Sequence, residues 1–292
     1  MSKSWKDRRD AKRVPLPGLM QCCIDLKPGR MENEVYINRT MDVTALESFM
    51  QSKKQQGLHY TYFHAIMMAV AKTIYNRPKL NRFVKNRHMF EHNDVSLAFV
   101  AKMELSDRSE EIMLLVTIDP DDTMQTISEK IAKRVENLRG SHVDKKGANS
   151  AIDVLGKLPN FIRVPIFGVI KWMDRVDLLP AELCKDNIYF SSMIISNLGS
   201  IRCGAIYHNL ANFGTSSSLA SMGEIKPQEV LMPDGTKQIR KVCEFGVTLD
   251  ERVADGYYFA KSCKMIEYIL QHPQLLEEPA NTPVQMEELV HQ

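Results

Sequence analysis

The sequence lacks any uninterrupted apolar run of the roughly 20 residues that a membrane-spanning helix needs. Its most apolar stretch, LPNFIRVPIFGVIKWMDRVDLLP, is broken by Arg163, Pro165, Lys171 and Asp174. No membrane span is expected there, and the stretch reads instead as an apolar, partly helical flap over a pocket or a core. Cysteine is sparse and unpatterned. There are six, two of them adjacent at Cys22 and Cys23, with neither the spacing of a disulfide framework nor that of a zinc site. Charge of one sign is not in excess: the formal net charge is +2, so no global field points to nucleic acid or membrane. Internal repeats and low-complexity linkers are also missing. The first residues, KSWKDRRDAKR, are basic but lack the apolar core of a signal peptide, so the cytoplasm is the expected compartment.

What is present is an ordinary globular composition, 44% hydrophobic and 25% charged over 292 residues, enough for one large domain or two small ones. The basic arm, residues 1–29, is expected to pack on the body or on another subunit, or to contact an anion. MQCCIDLKPGRMENEVYINRTMD shows short β-type runs around a Pro-Gly turn. DVTALESFMQSKK starts at a cap, Asp42 or Thr44, and continues with helical spacing at Leu46, Phe49 and Met50. TYFHAIMMAVAKTIYN is apolar nearly all round and predicts a buried helix stopped by Pro78.

RFVKNRHMFEHNDVSLAFVAKM reads as a hairpin turning at His92–Asp94, and EIMLLVTID as a central strand. TMQTISEKIAKRVENLRG is an amphipathic helix closed by Gly140. NIYFSSMIISNLGSI is a strand ending in a turn, SSSLASMGEI a short strand, PDGTK a hairpin turn and IRKVCEFGVTLD another strand. A last long helix follows. The mixture predicts an α/β, or α+β, two-layer sandwich: a mixed sheet with helices on one face.

Three motifs could carry chemistry. HMFEH (His88–His92) has two histidines and a glutamate at a metalloprotease-like spacing, but that chemistry needs a helix. On extended chain the two imidazoles stand roughly 13 Å apart, so a solvated turn is expected and no metal. SNLGS, with Ser196, Asn197 and Gly199, is a strand-end turn whose hydroxyl could also donate to an oxyanion. DERVADG places Asp250, Glu251, Arg252, Asp255 and Gly256 between a strand and a helix. There a buried Asp255 would call for an arginine, Arg252 or a more distant one. Among the other histidines, His208 lies in a glycine-containing stretch between strands and is the one candidate for lining a pocket.

Taken in order, the blocks DVTALESF, HAIMMAVAKTIYNRPKLNRFV, ISNLGSI and VTLDERVADGYYFAKSCKMIEYILQHPQLL resemble the catalytic domain of the 2-oxo acid dehydrogenase (lipoyl) acyltransferases. Those enzymes share a fold with chloramphenicol acetyltransferase. The resemblance spans roughly residues 30–280, with residues 150–185 as the apolar flap or insertion and 281–292 as a tail. It implies a homotrimer with active sites between subunits, and coenzyme A or acyl-CoA as a substrate rather than a covalently bound cofactor. The family histidine is the general base on a thiol or hydroxyl. A serine or threonine near the Ser-x-Leu-Gly block holds the oxyanion, and an arginine-held aspartate fixes the loop.

Carried onto this chain, Ser196 takes the oxyanion role, Asp255 the structural role and Gly256 the helix entry. The family's terminal block reads Asp-His-Arg-x-x-Asp-Gly, so the histidine position is Glu251 here. Glu251 is then either a carboxylate base, about two units less basic than histidine unless burial compensates, or the mark of an inactive site kept as a trimeric scaffold or ligand-binding protein. Only a short arm precedes the catalytic-type region, so a role in a large complex would draw on a separate lipoyl-bearing chain.

Overall fold

The computed structural model describes residues 7–102, 111–140 and 155–286. Helix α3 (Tyr62–Asn76) lies at the centre of the core because its sequence leaves it no polar face: Ala65 through Ile74 are all buried. Thr61 caps it, accepting from the His64 N–H at 3.2 Å, and Pro78 follows its end. The one cation in that run, Lys72, reaches the Pro279 carbonyl at 2.9 Å and Glu278 at 3.3 Å.

Flanking α3 are α2 (Thr44–Gln55), α4 (Met124–Gly140) and a C-terminal helix, α7 (Gly256–Gln271). These four cover one face of a six-stranded sheet. Its strands are β2 (Glu34–Asp42), β5 (Val95–Lys102), β6 (Glu111–Ile118), β7 (Met193–Asn197), β8 (Ser218–Leu231) and β9 (Lys237–Asp250), in the order β2-β9-β8-β7-β5-β6. Strand β7 runs parallel to both neighbours and all other pairs are antiparallel. The two-residue alternation of β9 sends Cys243, Phe245, Val247 and Leu249 into the helical core and turns Glu244, Gly246, Thr248 and Asp250 to the other face. The predicted sandwich, a mixed sheet with helices on one face, is the observed one.

A second, three-stranded antiparallel sheet, β1-β4-β3, was not anticipated. It joins β1 (Ala11–Val14) of the basic arm to β4 (His88–His92) and β3 (Arg82–Lys85). The arm thus packs on the body of its own chain, and Arg8 and Arg9 both pair with Asp177. The hairpin turns at Asn86 and Arg87, both at positive φ (47° and 64°), and not at His92–Asp94 as the sequence suggested. Both sites carry turn residues. Pairing Phe83 with Phe90 and Val84 with Met89 buries all four, and that register selects the earlier turn.

The chain from Met20 to Leu26, expected as β-type, belongs to a helix, α1 (Gly18–Leu26), with only Ile24 buried. Among the described residues after α4 are α5 (Asn160–Arg175) in the apolar segment and the single turn α6 (Ala181–Cys184). Strand β8 runs well past the predicted short strand. It tolerates Pro227 because β7 stops pairing at Met222 and leaves that edge free.

Candidate active site

Strand β9 ends on Asp250, whose buried carboxylate is gripped by Arg252. Nε lies 2.8 Å from Oδ1 and Nη2 lies 2.6 Å from Oδ2. A second guanidinium, Arg30, stands 3.8 Å from Oδ2 and donates to the carbonyls of Ala211 (2.6 Å) and Gly214 (3.1 Å). Arg252 also donates to Pro28 at 2.7 Å. This knot ties the strand end to the Pro28–Arg30 turn and to the loop at 211–214. Burial pushes Arg30 down to about 10.

Beside the knot, Lys85 pairs with buried Asp174 of α5 and donates to Gly214 O at 2.8 Å. Burial pushes Lys85 down to about 8. Sequence reasoning missed Arg30, Lys85 and Asp174, because a lysine next to a hairpin turn or an arginine after Pro-Gly carries no sign of burial.

The predicted pairing is therefore shifted. Asp255 is exposed, and the aspartate that arginine holds is Asp250. Asp255 is instead the N-cap of α7, accepting the Tyr258 N–H at 2.8 Å. The positive end of the helix stabilises its charge, so it needs no arginine. Gly256 opens α7, as expected.

Glu251 sits at the turn between them. Its N–H donates to Asn33 O at 2.9 Å, and its carboxylate lies 3.3 Å from the Lys27 ammonium, both groups facing solvent. Among the described residues nothing buries the Glu251 carboxylate. Glu251, Asp255 and Gly256 line an open cleft of about 770 Å³ together with Tyr36, Asn38 and Arg39.

Ser196 is half-buried near the end of β7. The next residue, Asn197, closes the turn: its side-chain oxygen accepts from Ser200 N at 3.3 Å and its carbonyl from Ser200 Oγ at 2.9 Å. Gly199 is required because a Cβ there would fall 2.6 Å from the Gly223 carbonyl oxygen. Asn197 and Gly199 line a second open cleft of about 770 Å³ with Thr61, Phe63 and Arg202.

The fold keeps the two halves apart. Ser196 is paired with Ser221 and Ser221 with Gly246, and Glu251 follows Gly246 by five residues (251 − 246). Two strand spacings across and five residues along amount to roughly 20 Å.

His208 lines neither cleft. It belongs to a segment, residues 203–214, that crosses the outer face of the sheet, and its Nε2 is buried with no hydrogen-bond partner among the described residues. His88 and His92 stand on a strand, not in a solvated turn, and have separate partners: Arg13 at 3.0 Å for His88, Asn81 O and Thr215 Oγ1 at 2.9 Å each for His92. Burial pushes His92 down to about 4.

Residues 182–277 match the model of the 2-oxoacid dehydrogenases acyltransferase family (catalytic domain). No curated protein sequence matches the chain. A dihydrolipoamide acetyltransferase of Azotobacter vinelandii superposes with a TM-score of 0.58 at 16% identity, covering 91% of this chain and 93% of that one. The cubic core of a pyruvate dehydrogenase multienzyme complex gives 0.57 at 16% identity, with the same coverage. A chloramphenicol acetyltransferase gives 0.54 at 10%, covering 89% of this chain and 99% of that one. The chain has the fold of the 2-oxo acid dehydrogenase acyltransferases and of chloramphenicol acetyltransferase, and its residues 182–277, which hold Ser196 and the Glu251 loop, match the catalytic domain of that acyltransferase family.

Proposed function

We propose that this protein is a cytoplasmic acyltransferase that moves an acyl group between coenzyme A, or another thioester, and a thiol or hydroxyl acceptor. Its active site is atypical and assembled between the subunits of a homotrimer. One observation carries this reading: the segment that matches the acyltransferase catalytic domain holds both Ser196 and Glu251, each beside or within an open cleft. Their separation of roughly 20 Å along and across the sheet is what a site shared by two subunits requires, with Ser196 from one and Glu251 from its neighbour.

In this reading Glu251 takes the proton of the attacking thiol or hydroxyl, whose sulfur or oxygen bonds to the thioester carbonyl carbon. The Ser196 hydroxyl donates to the resulting oxyanion. Collapse breaks the original carbon–sulfur bond, and the proton passes to the leaving thiolate. Asp255 and Gly256 set the loop by starting α7, while Arg252 and Arg30 hold it through Asp250. A separate lipoyl-bearing chain is a fitting acyl carrier.

A second reading, a catalytically inactive scaffold or ligand-binding trimer, has its own support. The Azotobacter relative was investigated for the catalytic roles of a serine, a histidine and an asparagine, the last two being four residues apart. Glu251 and Asp255 have that spacing, and here the first is a solvent-facing carboxylate paired with Lys27.

Coenzyme A titration followed by a thioester-consumption assay over candidate acceptors separates the two. An enzyme loses about a hundredfold or more in turnover on Glu251→Gln while coenzyme A binding holds. A scaffold shows no turnover to lose, and Glu251→His that fails to create any, with no coenzyme A binding, establishes that the pocket itself is abandoned.

A further inference from the structure

The apolar segment that looked like a flap turns its apolar side outward. On α5 the spacing of Phe161, Pro165, Val169 and Trp172 makes one stripe, with Phe161 78%, Val169 56% and Trp172 56% exposed. Val164, 65% exposed, extends it. The opposite side, Ile166, Ile170, Met173 and Asp174, is half-buried or buried.

Two cations stand inside the outward face. Lys171 comes four residues after Phe167 and seven after Val164, and Arg175 comes three after Trp172. The helix offers no carboxylate to balance them, since its only acid, Asp174, is buried against Lys85. Arg175 is anchored to Asn86 at 2.9 Å. The next residue of that turn, Arg87, accepts from Gln21 of α1 at 2.9 Å, and α1 adds Leu19 and Leu26 to the exposed apolar surface. The helix ends before residue 182, where the family-matched segment begins.

From this face we infer that α5 lies on an anionic phospholipid surface. Sixteen residues reach about 24 Å, short of a hydrocarbon core of about 30 Å, and no described helix is long and apolar enough to cross a membrane. A dry subunit interface would bury the Lys171 and Arg175 charges among apolar side chains, where interface cores are depleted of charge. A headgroup layer accepts both. The aliphatic stems stay with Val164 and Phe167, the charged ends reach lipid phosphates, and the Trp172 indole sits at the boundary.

The test uses the full chain carrying Trp5→Phe, so that Trp172 is the only tryptophan. Vesicles of phosphatidylcholine alone and with phosphatidylglycerol are compared by co-sedimentation and tryptophan emission. The expected result is a blue shift and sedimentation with the anionic vesicles, weakened by salt. Lys171→Glu with Arg175→Glu should lower partitioning about tenfold or more, as should Phe161→Glu with Val169→Glu, both at an unchanged melting temperature. No sedimentation, or equal sedimentation with neutral vesicles, overturns the inference. So does a fall in vesicle-free light-scattering mass for Phe161→Glu with Val169→Glu, which would make the face a contact between copies of this chain.

Discussion

Arg252 and Asp250, two residues apart in the chain, form a two-pronged ion pair with contacts of 2.8 and 2.6 Å, sealed from solvent at the end of β9. Arg30 approaches the same carboxylate from the Pro-Gly turn. The candidate base, Glu251, lies between the two partners in sequence, so the knot fixes the backbone that presents it.

Removing the carboxylate would leave two buried guanidinium groups without their counter-ion. Asp250→Ala should cost about 3–5 kcal/mol, read as a large drop in denaturation midpoint. Asp255→Ala removes only a helix cap and should cost about 1 kcal/mol. Equal costs for the two would contradict the assignment of Asp250 as the arginine-held residue.

Stability should fall as acid is added across the window set by His92. Burial holds its folded pKa at about 4, whereas the unfolded chain protonates near 6.5. Between those values the unfolded state binds the extra proton, so stability is lost as pH drops, by up to about 1.4 kcal/mol per pH unit. His64 and His88, also lowered first by burial, act in the same direction. Melting temperature followed from pH 7 to pH 4 should flatten in His92→Gln relative to the unmodified chain.

Gly246 lies under the crossing segment, and a Cβ there would stand 2.5 Å from Ile206 O. Both are backbone constraints, so neither side can rotate away. Gly246→Ala should destabilise by about 1–3 kcal/mol and speed hydrogen exchange of the Ile206 amide, which bonds Ser221 Oγ at 3.0 Å. Unchanged exchange would show that the segment is not seated on the sheet at this point.

If the site is shared between subunits, two inactive chains can repair each other. Co-assembly of Glu251→Gln with Ser196→Ala in equal amounts should restore about a quarter of the sites, since each needs its serine from one variant and its glutamate from the other. Light scattering should report about three times the 33.4 kDa chain, or a multiple of it. Activity no higher than the sum of the parents, or a monomeric mass, would remove the intersubunit site.

Local patterns determined much of this architecture from the sequence alone. The unbroken apolar run of α3, the amphipathic pattern of α4 and the strand-to-helix switch around Gly256 all depend on neighbours within a few residues, and so could be read directly. Asp255 as a cap follows the same local rule, an aspartate just before an apolar helix, yet the sequence reading expected it buried against an arginine. Tertiary structure alone decided the rest. Whether the hairpin turns at Asn86 or at His92 depended on which register buries Phe83, Phe90 and Met89. Which carboxylate Arg252 grips depended on burial, and so did the recruitment of Arg30, Lys85 and Asp174 from distant parts of the chain. Burial is a property of the assembled layers, and residue order does not encode it locally. The separation of Ser196 from Glu251 likewise follows from strand order, which is set only when β7, β8 and β9 pair.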